Sequence, residues 1–203
     1  LRSGGTLPGL EVWNGTSWVA YDGTSTVMPA NGELHVRVST VAEQDGTYEG
    51  GETFKLRAAY TGGASRSVVG TATIVDDGTG TKYGPGPNDT STSSLDDDRS
   101  LSVGDLTVNE ASNYAVFTVN GTAGLSVSLA LEGASGGSGI ADLRSGGTLP
   151  GLEVWNGTSW VAYDGTSATI GSGGLLYVRV STVAEQDGTY EGDETFKLRA
   201  AYT

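Results

Sequence analysis

The sequence predicts an all-β protein, an antiparallel β-sandwich built from tandem repeats, and three observations carry this prediction. Aromatic and β-branched residues occur in short runs separated by Asn-Gly, Asp-Gly and Gly-Gly pairs, a pattern typical of strands and turns. The chain has 33 glycines, and no stretch places its apolar residues at helical spacing. Finally, a long block of sequence recurs at a fixed offset.

The repeat has a period of 142 residues, so that residues 1–61 recur as residues 143–203. Only nine of the 61 aligned pairs differ; eight lie between Thr26 and His35, and the ninth sets Gly51 against Asp193. Such self-similarity indicates an array of like modules. Arrays supply reach, rigidity and multivalency, which adhesive and structural proteins need more than enzymes do.

The repeat predicts how the chain divides. We expect residues 1–77 to be the back part of one sandwich module that lacks its opening strands. Residues 78–98 are rich in Pro, Gly, Ser and Thr and have the composition of a linker, with an acidic run at the end. Residues 99–203 form the next module, without its closing strand.

This division of the chain relative to the repeat leaves two alternatives open. If both modules keep the natural order, each exposes unpaired sheet edges, which are a liability unless pairing between neighbouring chains covers them. Alternatively, residues 62–203 contain every segment of one unit in rotated order, and residues 1–61 are left over.

In the opening strands, Tyr114 and Val116 alternate as apolar residues, with Phe117 expected to change face before Val119.

Composition excludes several function classes. The formal charge of −13, from 24 acidic against 11 basic residues, repels nucleic acid and anionic lipid. No apolar run reaches the roughly 18 residues of a membrane-spanning helix, so we expect no membrane insertion. The absence of cysteine excludes disulfides and thiolate-bound zinc. A small β module without disulfides or thiolate-bound zinc commonly needs another stabilising feature, and a bound cation would suit an acidic chain.

Three acidic clusters lie at the ends of predicted strands. The first is a glycine-containing loop, residues 43–54, which recurs as residues 185–196. The other two are Asp76-Asp77 and the run Asp96, Asp97 and Asp98. Carboxylates this close repel one another unless water or a cation screens them. Oxygen ligands on glycine-containing loops suit Ca²⁺, so we predict calcium at these positions, with Asp193 as a further ligand of the second loop.

Three motifs in order carry a family resemblance: Val108-Asn109-Glu110, Gly-Asp-Glu-Thr-Phe at residues 192–196, and Gly-Thr-Ala-Thr-Ile-Val-Asp-Asp at residues 70–77. They resemble the Calx-β family and the related extender repeats of large bacterial RTX-type surface adhesins. The resemblance implies an immunoglobulin-like β-sandwich that binds Ca²⁺ at one end, outside the cell. It places ligands at Glu110, Asp142, Asp187, Glu191, Asp45, Glu49, Asp76 and Asp77. The spacer after Asp77 is longer than in the family, which leaves open whether the third acidic cluster completes a site.

An aromatic hairpin is the second notable feature. Trp13 and Trp18 flank an Asn-Gly pair, as do Trp155 and Trp160 in the second copy, and this arrangement predicts a tight β-hairpin. Exposed tryptophan faces can stack on sugars. A cross-strand aromatic pair that holds the hairpin together is the alternative, and recurrence in both copies favours it.

We therefore expect a calcium-stabilised extender module of a cell-surface adhesin, whose partners are neighbouring modules of the same array. A carbohydrate-binding module that uses the tryptophan hairpins is the second hypothesis, and an intracellular calcium sensor is the third. We do not expect an enzyme, because the acidic loops have no apolar pocket to raise a carboxyl pKa. The lone histidine, His35, aligns with Tyr177, which does not suit a catalytic base.

Overall fold

A computed structural model of the chain describes residues 6–137, 139–190 and 192–203. The chain divides into two compact units, Leu1–Arg99 and Ser100–Thr203. Every pairing between strands in the described ranges is antiparallel, and helix is limited to two short 3-10 turns, Val41–Glu43 and Val183–Glu185. The predicted all-β class is confirmed.

The first unit contains a three-stranded sheet of order β2-β1-β3 and a separate hairpin of β4 with β5. Their bounds are β1 Leu10–Trp13, β2 Trp18–Ala20, β3 Val36–Val38, β4 Glu52–Ala59 and β5 Ser67–Ile74. None of the described residues of this unit is fully buried.

The second unit contains two larger sheets and a small hairpin. The first sheet has five strands in the order β12-β11-β14-β7-β6, the second has three in the order β13-β8-β15, and β9 pairs with β10. Their bounds are β6 Leu101–Val103, β7 Tyr114–Gly121, β8 Ser126–Glu132, β9 Ser135–Gly137, β10 Ile140–Asp142, β11 Glu153–Trp155, β12 Trp160–Ala162, β13 Ala168–Thr169, β14 Leu175–Ser181 and β15 Lys197–Tyr202.

Both sheets of the second unit contribute to one hydrophobic core. Val119 of β7 and Val178 of β14 come from the five-stranded sheet, and Val127 of β8 and Leu198 of β15 come from the three-stranded sheet. Phe117 meets Phe196 edge to face with ring centroids 5.8 Å apart. This arrangement is that of a β-sandwich, in which the inward rows of two sheets bury each other.

Strand β7 corrects one sequence prediction. Phe117 does not change face, because Ala115, Phe117 and Val119 form one regular inward row, while Tyr114 and Val116 both point outward. The small apolar side chain of Ala115 belongs to the core and supplies the missing member of the alternation. The outward row is partly covered, since the Arg179 guanidinium lies 4.0 Å from the centre of the Tyr114 ring.

The segment with linker composition, residues 78–98, folds within the first unit. Its Pro-Gly-Pro stretch forms a loop closed by a bridge between Tyr83 and Thr90. The Trp18 indole N–H donates a 2.8 Å hydrogen bond to the Pro85 carbonyl oxygen, which ties this loop to the aromatic hairpin. The acidic run at its end pairs with Asp76 and Asp77, the two residues that follow shortly after β5.

Candidate metal centre

Two of the predicted acidic clusters meet in the first unit. Asp77 and Asp97 form an antiparallel bridge, and the Asp98 N–H donates to the Asp76 carbonyl oxygen at 3.0 Å. Side chains alternate between the two sides of an extended segment. The bridge therefore sorts the five aspartates by side: Asp76, Asp96 and Asp98 share one, and Asp77 and Asp97 share the other.

Asp77 and Asp97 are occupied by contacts within the protein. The Asp97 carboxylate accepts two hydrogen bonds from the Arg99 guanidinium, at 2.8 and 2.9 Å, and Arg99 also donates to the Asp77 carbonyl oxygen at 2.6 Å. The Asp77 carboxylate accepts hydrogen bonds from Thr79. Bonds from Thr79 lower the pKa of Asp77, and the bond from Arg99 lowers the pKa of Asp97. The hydrogen bonds of these two carboxylates stabilise the bridge.

Asp76 and Asp98 are in a different situation. The Asp76 Oδ2 atom accepts a 2.7 Å hydrogen bond from the Glu49 N–H, but its Oδ1 atom and the Asp98 Oδ2 atom are shielded from solvent without a hydrogen-bond donor among the described residues. Desolvation, followed by repulsion from Asp96, Asp76 and Asp45, raises the pKa of Asp98. Carboxylate oxygens held in this way destabilise the fold unless a proton or a cation joins them.

A second acidic group adjoins the first through Glu49. Glu43, Glu49 and Glu52 each place one carboxylate oxygen within 4.8 Å of the others. The hydrogen bond with Glu43 raises the pKa of Glu52, and the negative charge of Glu43 adds to that effect. Glu43 ends a 3-10 turn, Glu52 opens β4, and the glycine-containing loop between them brings the two ends together. Three oxygens at this spacing can ligate one cation.

The second unit holds an incomplete counterpart of this centre. Glu110 lines a shallow cleft together with Gln186 and Gly188, so the early glutamate does lie beside the acidic loop. The Asp187 Oδ1 atom accepts the Thr189 N–H at 2.7 Å, as Asp45 accepts Thr47 at 3.0 Å in the first copy. Asp193 is exposed, and Glu191 lies outside the described residues.

Asp142 is engaged elsewhere in the second unit. The Arg144 Nε and Nη2 atoms donate to its two carboxylate oxygens at 2.9 and 3.0 Å. These bonds lower the pKa of Asp142, and the carboxylate stabilises its own loop through them. Within the described part of this unit, no three carboxylates approach one another as they do at Glu43, Glu49 and Glu52.

Sequence reasoning missed two members of the first-unit centre and one relationship. Glu43 and Glu52 were passed over because they flank the acidic loop instead of standing at its centre. The relationship is the pairing of Asp76 with Asp98 across the bridge. A signal for it was present, since two acidic runs separated by a turn-rich segment can pair as antiparallel ends, and alternation then selects which aspartates converge.

The tryptophan hairpins form as predicted. Trp13 pairs with Trp18 across the hairpin, with ring centroids 5.4 Å apart and edge to face, and Trp155 pairs with Trp160 at 5.5 Å. An arginine guanidinium stacks on each second tryptophan, Arg37 at 4.6 Å and Arg179 at 4.7 Å from the ring centre. An arginine therefore covers one face of Trp18 and of Trp160, two of the four rings that a sugar platform would use, which favours the packing role.

No helix in the described ranges is long and apolar enough to cross a membrane. Comparison of the chain with family models, with curated proteins and with solved structures gives no match.

Proposed function

We propose that this chain is a calcium-stabilised structural module of a long extracellular array, with a cation-binding centre at the end of its first unit. The observation that carries the proposal is the pair of solvent-shielded carboxylate oxygens, Asp76 Oδ1 and Asp98 Oδ2, which have no donor among the described residues. A cation between them would remove both the desolvation cost and the mutual repulsion.

The donor set favours Ca²⁺ among biological cations. The first-unit group offers carboxylate oxygens alone, from Asp76, Asp96 and Asp98 on one side of the bridge and from the adjoining cluster of Glu43, Glu49 and Glu52. Hard oxygen ligands without imidazole or thiolate suit calcium and magnesium more than zinc or copper. Loop-borne ligands in such number suit the flexible, six- to eight-fold coordination of Ca²⁺ better than the strict octahedron of Mg²⁺.

The array role rests on the sequence repeat and the charge. A 142-residue period with near-identical copies and a net charge of −13 fit an extender that separates a binding domain from its anchor. We propose an immunoglobulin-like topology for the complete module, no catalytic role and a location at the bacterial cell surface. Calcium would act by holding the two acidic ends together, and it would thereby stiffen residues 78–98, the segment with linker composition.

Thermal unfolding in EDTA, in 2 mM Mg²⁺ and in 2 mM Ca²⁺ tests this proposal. A cation bound only by the folded state at about 100 times its Kd stabilises that state by about 2.7 kcal/mol, so we expect a clear rise in Tm with Ca²⁺. Calorimetric titration should show Ca²⁺ binding that is weakened at least tenfold by Asp98→Asn.

The matched control is Asp89→Asn, which removes one charge from the same unit. Asp89 accepts a hydrogen bond from the Gly86 N–H within the Pro-Gly-Pro loop, and an asparagine oxygen can keep that bond. Asp89→Asn should leave the calcium affinity unchanged. A Tm that is the same in EDTA and in Ca²⁺ would contradict the cation centre.

A further inference from the structure

Strand β15 lies at the edge of its sheet. Strand β4, which has nearly the same sequence, pairs with β5. In the described part of the second unit, β15 pairs with β8 alone. In the first unit, β4 pairs with β5 over eight residues. The stretch Lys-Leu-Arg-Ala-Ala is identical in the two strands, at residues 55–59 and 197–201. The edge of β15 therefore presents the same row of residues that pairs with β5 in β4.

The pairing of β4 with β5 defines a register for that edge. Leu56 stands opposite Gly70, Arg57 opposite Val69 and Ala58 opposite Val68. With the offset of 142, the same register would set Leu198 opposite Gly70 and Ala200 opposite Val68. Val68 would then share the face of Ala200 and of buried Leu198, whereas Val69 would share the outer face of Arg199.

Strand β5 has little to cover where it lies in the first unit. Its residues from Ser67 to Thr73 are all exposed, and Val68 and Val69 are 59% and 50% exposed. Leu56, which faces the same side, is only half-buried. At the edge of β15, by contrast, Leu198 is buried and Phe196 and Ala200 pack against the core of the second unit. A strand docked there would extend an existing core, so burial favours β15 over β4 as the partner of β5.

We propose that β5 of one copy of this chain leaves β4 and docks antiparallel on the edge of β15 that faces away from β8 in a second copy, in the register that β4 and β5 show. The contact is a strand addition in which main-chain hydrogen bonds supply affinity and the inward row, Val68, Gly70, Ala72 and Ile74, supplies specificity. The two partners use different surfaces, so the contact is head-to-tail and can propagate from one copy to the next. It does not require the proposed cation.

Sedimentation velocity of the full chain over a wide concentration range, in EDTA, tests the proposal separately from calcium binding. We expect reversible self-association. Val68→Asp places a charge on the inward row and should weaken association at least tenfold. Val69→Asp, at a neighbouring exposed position on the outer row, should leave the association constant within about twofold; the two variants place the same charge on opposite faces of β5.

Hydrogen exchange identifies the surface that is used. The amides of Leu198 and Ala200, which point away from β8, should become at least tenfold better protected as concentration rises in the parent chain and in Val69→Asp, and should stay poorly protected in Val68→Asp. NMR is the readout, because residues 55–59 repeat the sequence of residues 197–201. A fluorescent peptide of residues 66–75 should bind the Val68→Asp chain, whose β15 edge is intact. The same peptide carrying Val68→Asp should not bind. A chain that stays monomeric at every concentration, or association that both aspartate variants weaken equally, would overturn the proposal.

Discussion

Two nearly identical stretches of sequence have different environments in the two units. Val36 and Val38 are only half-buried in the first unit, whereas their counterparts Val178 and Val180 are 0% and 1% exposed in the second. The hairpin beside them is the same in both, with Trp13 opposite Trp18 and Trp155 opposite Trp160. Local sequence thus determines the hairpin and its register, but burial depends on strands that only the second unit has.

The strands that make this difference come from residues 101–132, which have no second copy in the chain. Strand β7 pairs with β14 over seven residues, and β8 pairs with β15 over six. Their inward rows supply Phe117, Val119 and Val127 to the core. The first unit has β3 and β4 in the corresponding places without such partners, so its apolar rows remain partly open to water.

The largest expected effect is on the stability of a matched leucine pair. Leu176 is 4% exposed in the core of the second unit, and its counterpart Leu34 is half-buried. Leu176→Ala should lower the free energy of unfolding of its unit by about 2–5 kcal/mol, because it leaves a cavity in a packed core. Leu34→Ala should cost less than about 1 kcal/mol, as a partly exposed position does.

Hydrogen exchange with increasing urea can measure this difference, because it follows each unit through peptides that have no duplicate, residues 114–121 for the second and residues 67–74 for the first. Equal losses from the two leucine substitutions would mean that the first unit has a core of its own, and the comparison would fail.

The fold was predictable from the sequence to the extent that it is local. Alternation and Asn-Gly pairs predicted the strands and both tryptophan hairpins, because a hairpin needs only its own turn and flanking residues. The acidic centre was predicted only in part. Asp76 and Asp98 are 22 positions apart, and their convergence depends on how residues 78–98 fold back, which short-range patterns do not specify. Glu43 and Glu52 likewise meet only because the loop between them closes.

The second prediction concerns pH in the absence of metal. The raised pKa values of Asp98 and Glu52 mean that the folded first unit holds these protons more tightly than the unfolded chain, whose ordinary pKa values are 3.8 and 4.5. Stability therefore rises as pH falls from neutral towards those ordinary values. Below them the trend reverses, because Asp77 and Asp97 have lowered pKa values and lose their stabilising bonds on protonation.

The second unit should respond differently, since the lowered pKa of Asp142 gives stability that is complete above 3.8 and lost as pH falls through the lowered folded value. Unfolding of each unit in EDTA between pH 7 and pH 4.5 checks the contrast. We expect the first unit to gain stability and Asp98→Asn to reduce that gain. A first unit that only loses stability over this range would show that its carboxylates are not under the strain inferred from Asp76 and Asp98.

The smallest expected effect is the difference in stability between the two copies of one arginine–glutamate ion pair. Arg37 binds Glu11 at 2.7 Å and Arg179 binds Glu153 at 2.7 Å, but the arginine side chains are 43% and 20% exposed. Arg179 also lies 4.0 Å from the centre of the Tyr114 ring, which belongs to a strand without a counterpart in the first unit. Arg179→Ala should cost about 1–2 kcal/mol, and Arg37→Ala less than about 1 kcal/mol, as is usual for an exposed pair.

Tyr114→Leu isolates the source of this difference, because it keeps an apolar side chain on β7 and removes the aromatic face. If the stacked ring accounts for the extra stability, Arg179→Ala should cost about 0.5–1 kcal/mol less in the Tyr114→Leu background than in the parent chain, which a double-mutant cycle measures directly. A coupling near zero would instead assign the difference to the better shielding of the Arg179–Glu153 pair from water. In either case the cause lies in β7 and the core behind it, since residues 11–38 and 153–180 provide the same pair of charges at the same distance.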